Sequence, residues 1–486
     1  MPFIDLIKIS WPYILSLGSL ILLSYTAVHI LLNKHDTRAA TGWLGLVWFA
    51  PIIGICLYWL LGVNRIKRKA RARLASRRAI PLPERKLAVA PQDVIRLLKI
   101  EEQNGLAMLC QLTEKVTRQP LMEGNEITPL INGDQAYPAM LEAIQTATYS
   151  ISLCTYIFDN DSWGSKFRSA LKDARERGVS VKVLIDGVGA RYSRPPMARK
   201  LRRDGIETVC FMQTFLPWRF RYLNLRNHRK LLVLDGKTGF TGGMNIREGN
   251  YLSDNPENPI QDIHFQIMGP VVAELQKAFA EDWSFSTGEK LTGEKWFPEL
   301  NPAGNGVARG ISDGPDEDYD TLRMVILGAL SSAQTSIKVA SPYFLPDDEL
   351  ITGLCTAALR GINVQILLPS KPNLRMIKWA SEAGLERLLE SGCTLMLSDP
   401  PFDHSKIMII DHGWVLLGSA NWDTRSLKLN FEFNVECYDA ALAHSIEIIF
   451  DNKIKSAHFV SLQEIQEKPL LTRLRNKFFR LFLPYL

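Results

Sequence analysis

The sequence predicts an α/β protein of two pseudo-equivalent lobes, carried on an N-terminal pair of membrane helices. Two observations predict this: two charge-free apolar runs near the N-terminus and a duplicated helix–strand pattern over the remainder. The 486 residues, 46% hydrophobic and 22% charged, suffice for several domains with a substantial core. That composition excludes a disordered, collagen-like or disulfide-stapled chain, and also a many-span transporter. The seven cysteines (56, 110, 154, 210, 355, 393, 437) form no CxxC pair. They read as reduced thiols in a reducing compartment, not as disulfides or structural zinc ligands.

Trp11 to Leu32 and Trp43 to Val63 contain no Lys, Arg, Asp or Glu. Each matches the ~20 residues a helix needs to cross the hydrocarbon core, so the two read as a membrane hairpin joined by 33–41. The first run is too long for a signal peptide and no small-residue cleavage site follows. A pair of buried core helices is the alternative. Arg65 to Arg78 carries eight of the 57 Lys and Arg and no acid, which the positive-inside rule places in the cytoplasm together with the N-terminus. The same run is suited to anionic headgroups. Without it and the five basic residues of the tail, the chain holds more acids than bases, which argues against a nucleic-acid track. In the tail, Leu471, Leu474, Phe478, Leu481, Phe482 and Tyr485 share one helical face, with Arg473, Lys477 and Arg480 opposite. This predicts an interfacial amphipathic helix, with a core-docked terminal helix as the alternative.

The body is duplicated. ATYSISLCTYIFDND from Ala147 parallels AQTSIKVASPYFLPD from Ala333, RGVSVKVLID from Arg177 parallels RGINVQILLP from Arg360, and DGIETVCF from Asp204 parallels SGCTLMLS from Ser391. The helix–strand alternation predicts α/β sandwiches with a largely parallel sheet. The expected organisation is a hairpin (1–64), a basic segment and linker (65–110), a first lobe (111–289), a Gly/Pro-rich connector (290–315), a second lobe (316–465) and the tail (466–486).

In register with this repeat stand His228-x-Lys230-x₄-Asp235 with Gly242, Gly243 and Asn245, and His404-x-Lys406-x₄-Asp411 with Gly418, Ser419 and Asn421. A strand puts His and Lys on one face, while the Asp ends the strand at a turn. Two histidines, two lysines and two asparagines together suit a phosphodiester. Lys and Asn neutralise the non-bridging oxygens, one imidazole attacks phosphorus and the other protonates the leaving oxygen. Asp262 and Glu432, downstream of His228 and His404 respectively, are the candidates for fixing the imidazole tautomers. Lysine supplies the positive charge, so no metal or other cofactor is expected. The six other histidines (29, 35, 264, 412, 444, 458) receive no role.

With these motifs the chain resembles the phospholipase D superfamily with its twin HKD motifs, and within it the bacterial cardiolipin synthases. RNHRKLLVLDGKTGFTGGMNI, SPYFLPDDEL and GSANWDTRSLKLNFE carry the likeness, as do Trp43, Pro51, Gly54, Tyr58 and Gly62 in the hairpin. The resemblance implies two phospholipase D-like lobes in a multi-pass protein of the cytoplasmic (inner) membrane. It implies an enzyme that joins two phosphatidylglycerols into cardiolipin and releases glycerol through a phosphatidyl-histidine. It makes His228 the nucleophile and His404 the general acid and base, although the near-symmetric repeat itself leaves that choice open. It gives Lys230, Lys406, Asn245 and Asn421 to the phosphate, with help from the Ser419 hydroxyl, and Asp262 and Glu432 to the imidazoles. Its partners would be phosphatidylglycerol and anionic lipids, with no nucleic acid. Hydrolysis to phosphatidic acid, a nuclease and a non-catalytic membrane scaffold are the alternatives. Two positions depart from the family: Ile260-Gln261 replace a Trp, and Asp403 precedes His404, where an acid is expected to raise the imidazole pKa.

Overall fold

The computed structural model describes residues 3–34, 37–62, 87–90, 93, 104–212, 225–315 and 320–481. The basic run 65–78, His35, Phe482 and Tyr485 lie outside the described residues. Among the described residues the chain divides into an N-terminal helical unit and a body.

In the N-terminal unit the first apolar run forms α1 (Phe3–Asn33), of which Ser16–Asn33 is long and apolar enough to cross a bilayer. The second run does not form one unbroken helix of that length. It becomes α2 (Thr37–Phe49) and α3 (Pro51–Leu57), with a wider turn continuing to Gly62. The break has a local cause. Ala50 leaves the helical region (φ −136°, ψ 68°), and Pro51, which has no N–H to donate, opens α3 at its first position. α3 then folds back on α2, and Gly54 lies so close to the Leu46 carbonyl that any side chain would clash. α1 joins the pair through a 2.8 Å hydrogen bond between His29 Nδ1 and Tyr58 Oη, and through Trp59 Nε1–H donating to Thr26 Oγ1 at 3.0 Å. These side chains therefore find partners within the apolar unit.

The body is threaded by one continuous sheet, 16-stranded among the described residues, in which the two-residue strands Ala88–Val89 and His458–Phe459 join fourteen longer ones. In the first lobe its strands are β1 (Leu121–Ile131), β2 (Ser150–Thr155), β3 (Ser180–Asp186), β4 (Glu207–Phe211), β5 (Leu231–Leu234), β6 (Thr238–Gly242) and β7 (Ile263–Met268). After β8 (Gly306–Asp313), the second lobe adds β9 (Ser336–Ala340), β10 (Asn363–Pro369), β11 (Thr394–Ser398), β12 (Ile407–Ile410), β13 (Trp414–Gly418) and β14 (Glu432–Tyr438). Reading across the sheet, the order is β11-β10-β9-β12-β13-β14-β8, then β1-β7-β6-β5-β2-β3-β4. The two halves are mirror lists, so a pseudo-twofold axis passes between β8 and β1.

Two sequence expectations change here. The sheet is mixed, because only β2-β3-β4 and β9-β10-β11 run parallel, while the strands nearer the axis pair antiparallel. Alternating helices explain the parallel outer strands; among the inner ones, tight turns join β5 to β6 and β12 to β13, as antiparallel neighbours allow. The expected connector also contains β8, the central strand that pairs with both β14 and β1. One apolar core is shared by the lobes: α4 (Val272–Thr287) packs Leu275, Phe279 and Trp283 with Val233 and Ile263 of the first lobe and Val415, Phe433 and Ile446 of the second. At the far end, α5 (Arg375–Glu390) receives the C-terminal helix.

Candidate active site

β5 and β12 are short, fully buried strands, and each HxK segment enters one of them. Alternation along the chain sorts the side chains. Asn227 and Arg229 turn inward to Asp282, with Asn227 Nδ2 at 2.7 Å and Arg229 Nη1 at 2.8 Å from its carboxylate. His228 and Lys230 take the opposite face. Lys230 Nζ donates to the His228 carbonyl at 2.6 Å, and Lys406 Nζ to the His404 carbonyl at 2.7 Å. Both ammonium groups are thus fixed under their histidines. The motif aspartates lie elsewhere, which corrects their grouping with the reacting residues. Asp235 accepts the N–H groups of Thr148, Tyr149 and Ser150, while Asp411 accepts those of Gln334, Thr335 and Ser336. Each sits about 16 Å along the strand from its lysine, at ~3.3 Å per residue, where a φ near +50° turns the chain.

The imidazole partners are exchanged between lobes. His228 Nδ1 lies 3.0 and 3.1 Å from the two oxygens of Glu432, and His404 Nδ1 lies 2.9 Å from Asp262 Oδ2. This corrects the expected pairing of each histidine with the acid of its own lobe. The cause is backbone pairing across the pseudo-twofold axis. His228 N–H donates to the Phe431 carbonyl at 2.9 Å, and His404 N–H donates to the Gln261 carbonyl at 2.8 Å. The residue after each acceptor is the acid, so it arrives beside the opposite histidine. Both carboxylate side chains are fully buried, while both imidazoles keep 12% exposure.

The asparagines and Ser419 surround these pairs. Asn245 Oδ1 accepts the Ile157 N–H at 3.1 Å, and Asn421 Nδ2 donates to Ser426 Oγ at 3.2 Å. Ser419 does not face a ligand. Its hydroxyl, fully buried, donates to Glu432 Oε2 at 2.5 Å and accepts the Phe433 N–H, so its reading as a phosphate donor is replaced by a hold on Glu432. In the other half the corresponding space is filled by Asp262, against which any side chain at Gly243 would clash.

Burial sets the charges. It pushes the Lys230 ammonium down to about 7 and that of Lys406 down to about 8, opposed by Glu432 and Asp262. Burial also lowers both imidazoles, His404 well below its ordinary value with Lys406 and Lys230 adding to the effect. Asp403 does push His404 upward, as expected, but it does not decide the outcome. Asp403 is itself bound to Lys453 at 2.7 Å, and its influence is outweighed by burial and by the lysines. The two acids differ. Burial raises Asp262 to about 6, whereas Glu432 stays below its usual range because His228, Lys230 and Ser419 outweigh its burial.

Comparison with known proteins shows the family. The model "Cardiolipin synthase, PLD-like domain" matches residues 140–283 and 326–454, one segment in each lobe, and "Phospholipase_D-nuclease N-terminal" matches 21–62. A cardiolipin synthase of Geobacillus sp. (strain WCH70) is 33% identical over 476 residues, covering 96% of this chain and 94% of that protein. The major cardiolipin synthase ClsA of Bacillus subtilis (strain 168) is 31% identical, covering 97% and 100%. The chain belongs to the cardiolipin synthase family. Like the family it is an enzyme, a phosphatidyltransferase of phospholipid biosynthesis in the phospholipase D superfamily, associated with membranes. A phosphatidylserine synthase from Haemophilus influenzae Rd KW20 shares the fold, with a TM-score of 0.62 and 16% identity over 78% of this chain and 100% of that one.

Around the two HxK pairs the structure adds groups that the motif reading passed over. The Tyr156 ring meets His228 edge-on at 5.3 Å between centroids, and on the other side Tyr343 and Phe402 lie 6.3 and 5.8 Å from His404. Lys230 Nζ stands 5.8 Å from the Tyr156 ring centroid. Arg226 and Arg425 stand on the His228 side. Arg226 stands two positions before His228, ahead of β5, within the stretch that carries the motif.

Proposed function

We propose that this enzyme condenses two phosphatidylglycerol molecules into cardiolipin, releasing glycerol, by two displacements at phosphorus through a phosphatidyl-histidine. The observation that carries the reading is the crossed pair of buried carboxylates, each holding Nδ1 of one partly exposed imidazole and so turning Nε2 toward the substrate. In the first step His228 Nε2 forms a bond to the donor phosphorus and the bond to the headgroup glycerol oxygen breaks. His404 delivers the proton to that oxygen. In the second step His404 takes a proton from a glycerol hydroxyl of the acceptor lipid, whose oxygen displaces His228. Glu432, held ionised, suits the histidine that carries positive charge in the intermediate, while Asp262, near 6, suits the one that exchanges protons.

The substrate phosphate sits, in this reading, between Lys230 and Lys406. Their ammonium groups cost no reorganisation in the transition state because the His228 and His404 carbonyls already hold them. Asn245 offers its amide N–H to the phosphate. Asn421 does the same once its amide is turned so that Oδ1, otherwise buried without a partner, accepts the Ser426 hydroxyl. The body is assigned to the cytoplasmic side of the inner membrane, from the basic run that follows the apolar helices. The test is mass spectrometry of the lipids formed by the purified full chain in phosphatidylglycerol micelles, without added nucleotide. Cardiolipin and glycerol in equal amounts, both lost in His228→Ala, are expected. Phosphatidic acid as the main product would make the enzyme a hydrolase, and turnover unchanged in His228→Ala would overturn the mechanism.

A further inference from the structure

The second lobe contains a cavity that the reacting residues do not use. It lies between α5 and the carboxyl ends of the parallel strands β9, β10 and β11, where open α/β sheets hold their ligands. Pro342, Phe344, Leu368, Leu385, Leu397 and Val460 form its walls, and its open space, mouth included, is about 560 Å³, within the range of small-molecule sites. Of the four polar side chains that reach it, three are already engaged. Lys468 Nζ donates to Glu382 at 2.7 Å, and Lys378 Nζ donates to the Ser370 carbonyl at 3.2 Å. Ser381 is the fourth. Walls of this kind suit a neutral, apolar ligand. The matching helix of the first lobe, Met197–Arg203, has seven residues against sixteen in α5, and its Met197, Ala198 and Leu201 are packed in the core. The cavity is thus roofed by a helix that the first lobe has only in short form.

One wall of the cavity is shared with the reacting residues. Pro342 and Phe344 line it, whereas the ring of Tyr343, between them, lies 6.3 Å from that of His404. Tyr343 Oη donates to Asn373 Oδ1 at 2.8 Å, next to the lining residue Pro372. Tyr343 therefore stands as the partition between His404 and the cavity. On the outer side, Leu374 and Met376, which follow Pro372 and precede or flank the lining residue Ile377, are 50% and 48% exposed. Lys468, on the rim, leads directly into the C-terminal helix, whose Leu471 and Leu474 are exposed as well. Apolar surface thus runs from the outside of the body to within one residue of the imidazole's neighbour, which gives an apolar chain a way in.

We propose that this cavity binds one acyl chain of the acceptor lipid. The inference rests on the transfer reading above. There the donor phosphorus is carried on His228, and a displacement in line brings the entering hydroxyl from the opposite side, where His404 takes its proton. The acceptor therefore lies on the His404 side, and Tyr343 joins that side to the cavity. Water as the entering group would leave the cavity unused, so a filled cavity favours the lipid alcohol over water.

The experiment uses the full-length enzyme with dihexanoyl- and dioctanoyl-phosphatidylglycerol, both held below their micelle-forming concentrations. Cardiolipin formation reads an acceptor with acyl chains; entry of labelled free glycerol into phosphatidylglycerol reads an acceptor without them. Two further methylenes of one chain in the cavity should raise the ratio of transfer to exchange about 15-fold from the shorter to the longer lipid, the conversion of roughly 0.8 kcal/mol for each methylene. Ser381→Phe and, independently, Val460→Phe place a ring in the cavity and are expected to bring that 15-fold rise down to near one. A rise that persists in both variants would overturn the inference. So would transfer and exchange falling in parallel in both, since the cavity would then serve the donor chain or the fold. If the unsubstituted enzyme exchanges glycerol but yields only phosphatidic acid, the transfer reading fails and the acceptor chain with it, a result distinct from either.

Discussion

Glu432 stands 204 positions from His228 and Asp262 stands 142 from His404, yet these are the pairs that touch. Each imidazole is therefore oriented by a residue that its own half does not contain. Glu432→Gln keeps an oxygen for Nδ1–H but loses the charge and one of two acceptors used by His228, Ser419 and Asn430. It is expected to lower kcat by about 10²- to 10⁴-fold, with a smaller change in KM, in steady-state assays on folded protein. Asp262→Asn should act alike through His404. The pH profile follows from the same groups. As pH falls through about 6, Asp262 takes up a proton and ceases to accept from His404. As pH rises through about 7 and 8, Lys230 and Lys406 lose theirs and with them the charge that receives the phosphate. The value of kcat/KM should thus peak between about 6 and 7. Bound phosphate raises the lysines, so the alkaline limb of kcat should lie higher; a flat profile from 5 to 9 would contradict both assignments. The HxK pairs are legible in the sequence because a two-residue step fixes a strand face. The exchange of acids is not, because spacing along the chain is blind to which lobe a backbone hydrogen bond crosses into. The motif aspartates mislead for a related reason: their position is constant because they close a turn, not because they meet substrate.

At the scale of elements, the two ends of the chain show what periodicity can and cannot give. Apolar run length alone suggests two unbroken helices, but one Pro at a helix start and one Gly at a close approach fold the second run onto itself. The C-terminal helix α6 (Leu470–Arg480) docks on the body and still leaves an apolar stripe uncovered. It docks on α5 through Asn476 Nδ2, which donates to Glu382 at 2.8 Å, through Phe479 against Trp379 at 5.0 Å, and through the Arg475 guanidinium 4.3 Å from the Trp379 ring centroid. The adjacent face leaves Leu471 81%, Leu474 55% and Phe478 54% exposed. Such a stripe on a basic helix suits a lipid interface. Leu471→Glu with Phe478→Glu is expected to raise the interfacial KM about tenfold, the loss of roughly 1.4 kcal/mol of apolar contact, while kcat is retained. Surface-dilution kinetics in mixed micelles would measure this, and an unchanged interfacial KM would count against the lipid contact. The face that docks was hidden in the sequence because its contacts run through polar and aromatic side chains, not through the apolar stripe.

The whole body is a single sheet whose halves share one core, so its stability should not divide by lobe. Arg309 makes this concrete. It lies on β8, fully buried, with Nε 2.6 Å from Glu436 Oε1 on β14, and its other nitrogens reach the carbonyls of Gln119 and Cys110 ahead of β1. Trp414 Nε1–H also donates to Glu436, at 3.1 Å. One guanidinium thus ties the middle strands of the second lobe to the segment that begins the first. Arg309→Met would leave Glu436 without its counter-charge among apolar neighbours, where a carboxylate has little solvation, and would free two carbonyls. Removing one member of such a pair costs about 3–5 kcal/mol, whereas Arg309→Met combined with Glu436→Gln should recover part of that loss, because the double change leaves no buried charge. Calorimetry or denaturant unfolding of the detergent-solubilised full chain would report both. The expected outcome is one body transition that moves to lower temperature in the single variant and partly back in the double. Two separate transitions, or a shift restricted to half of the unfolding enthalpy, would mean that the lobes fold independently and that the continuity of the sheet does not couple them.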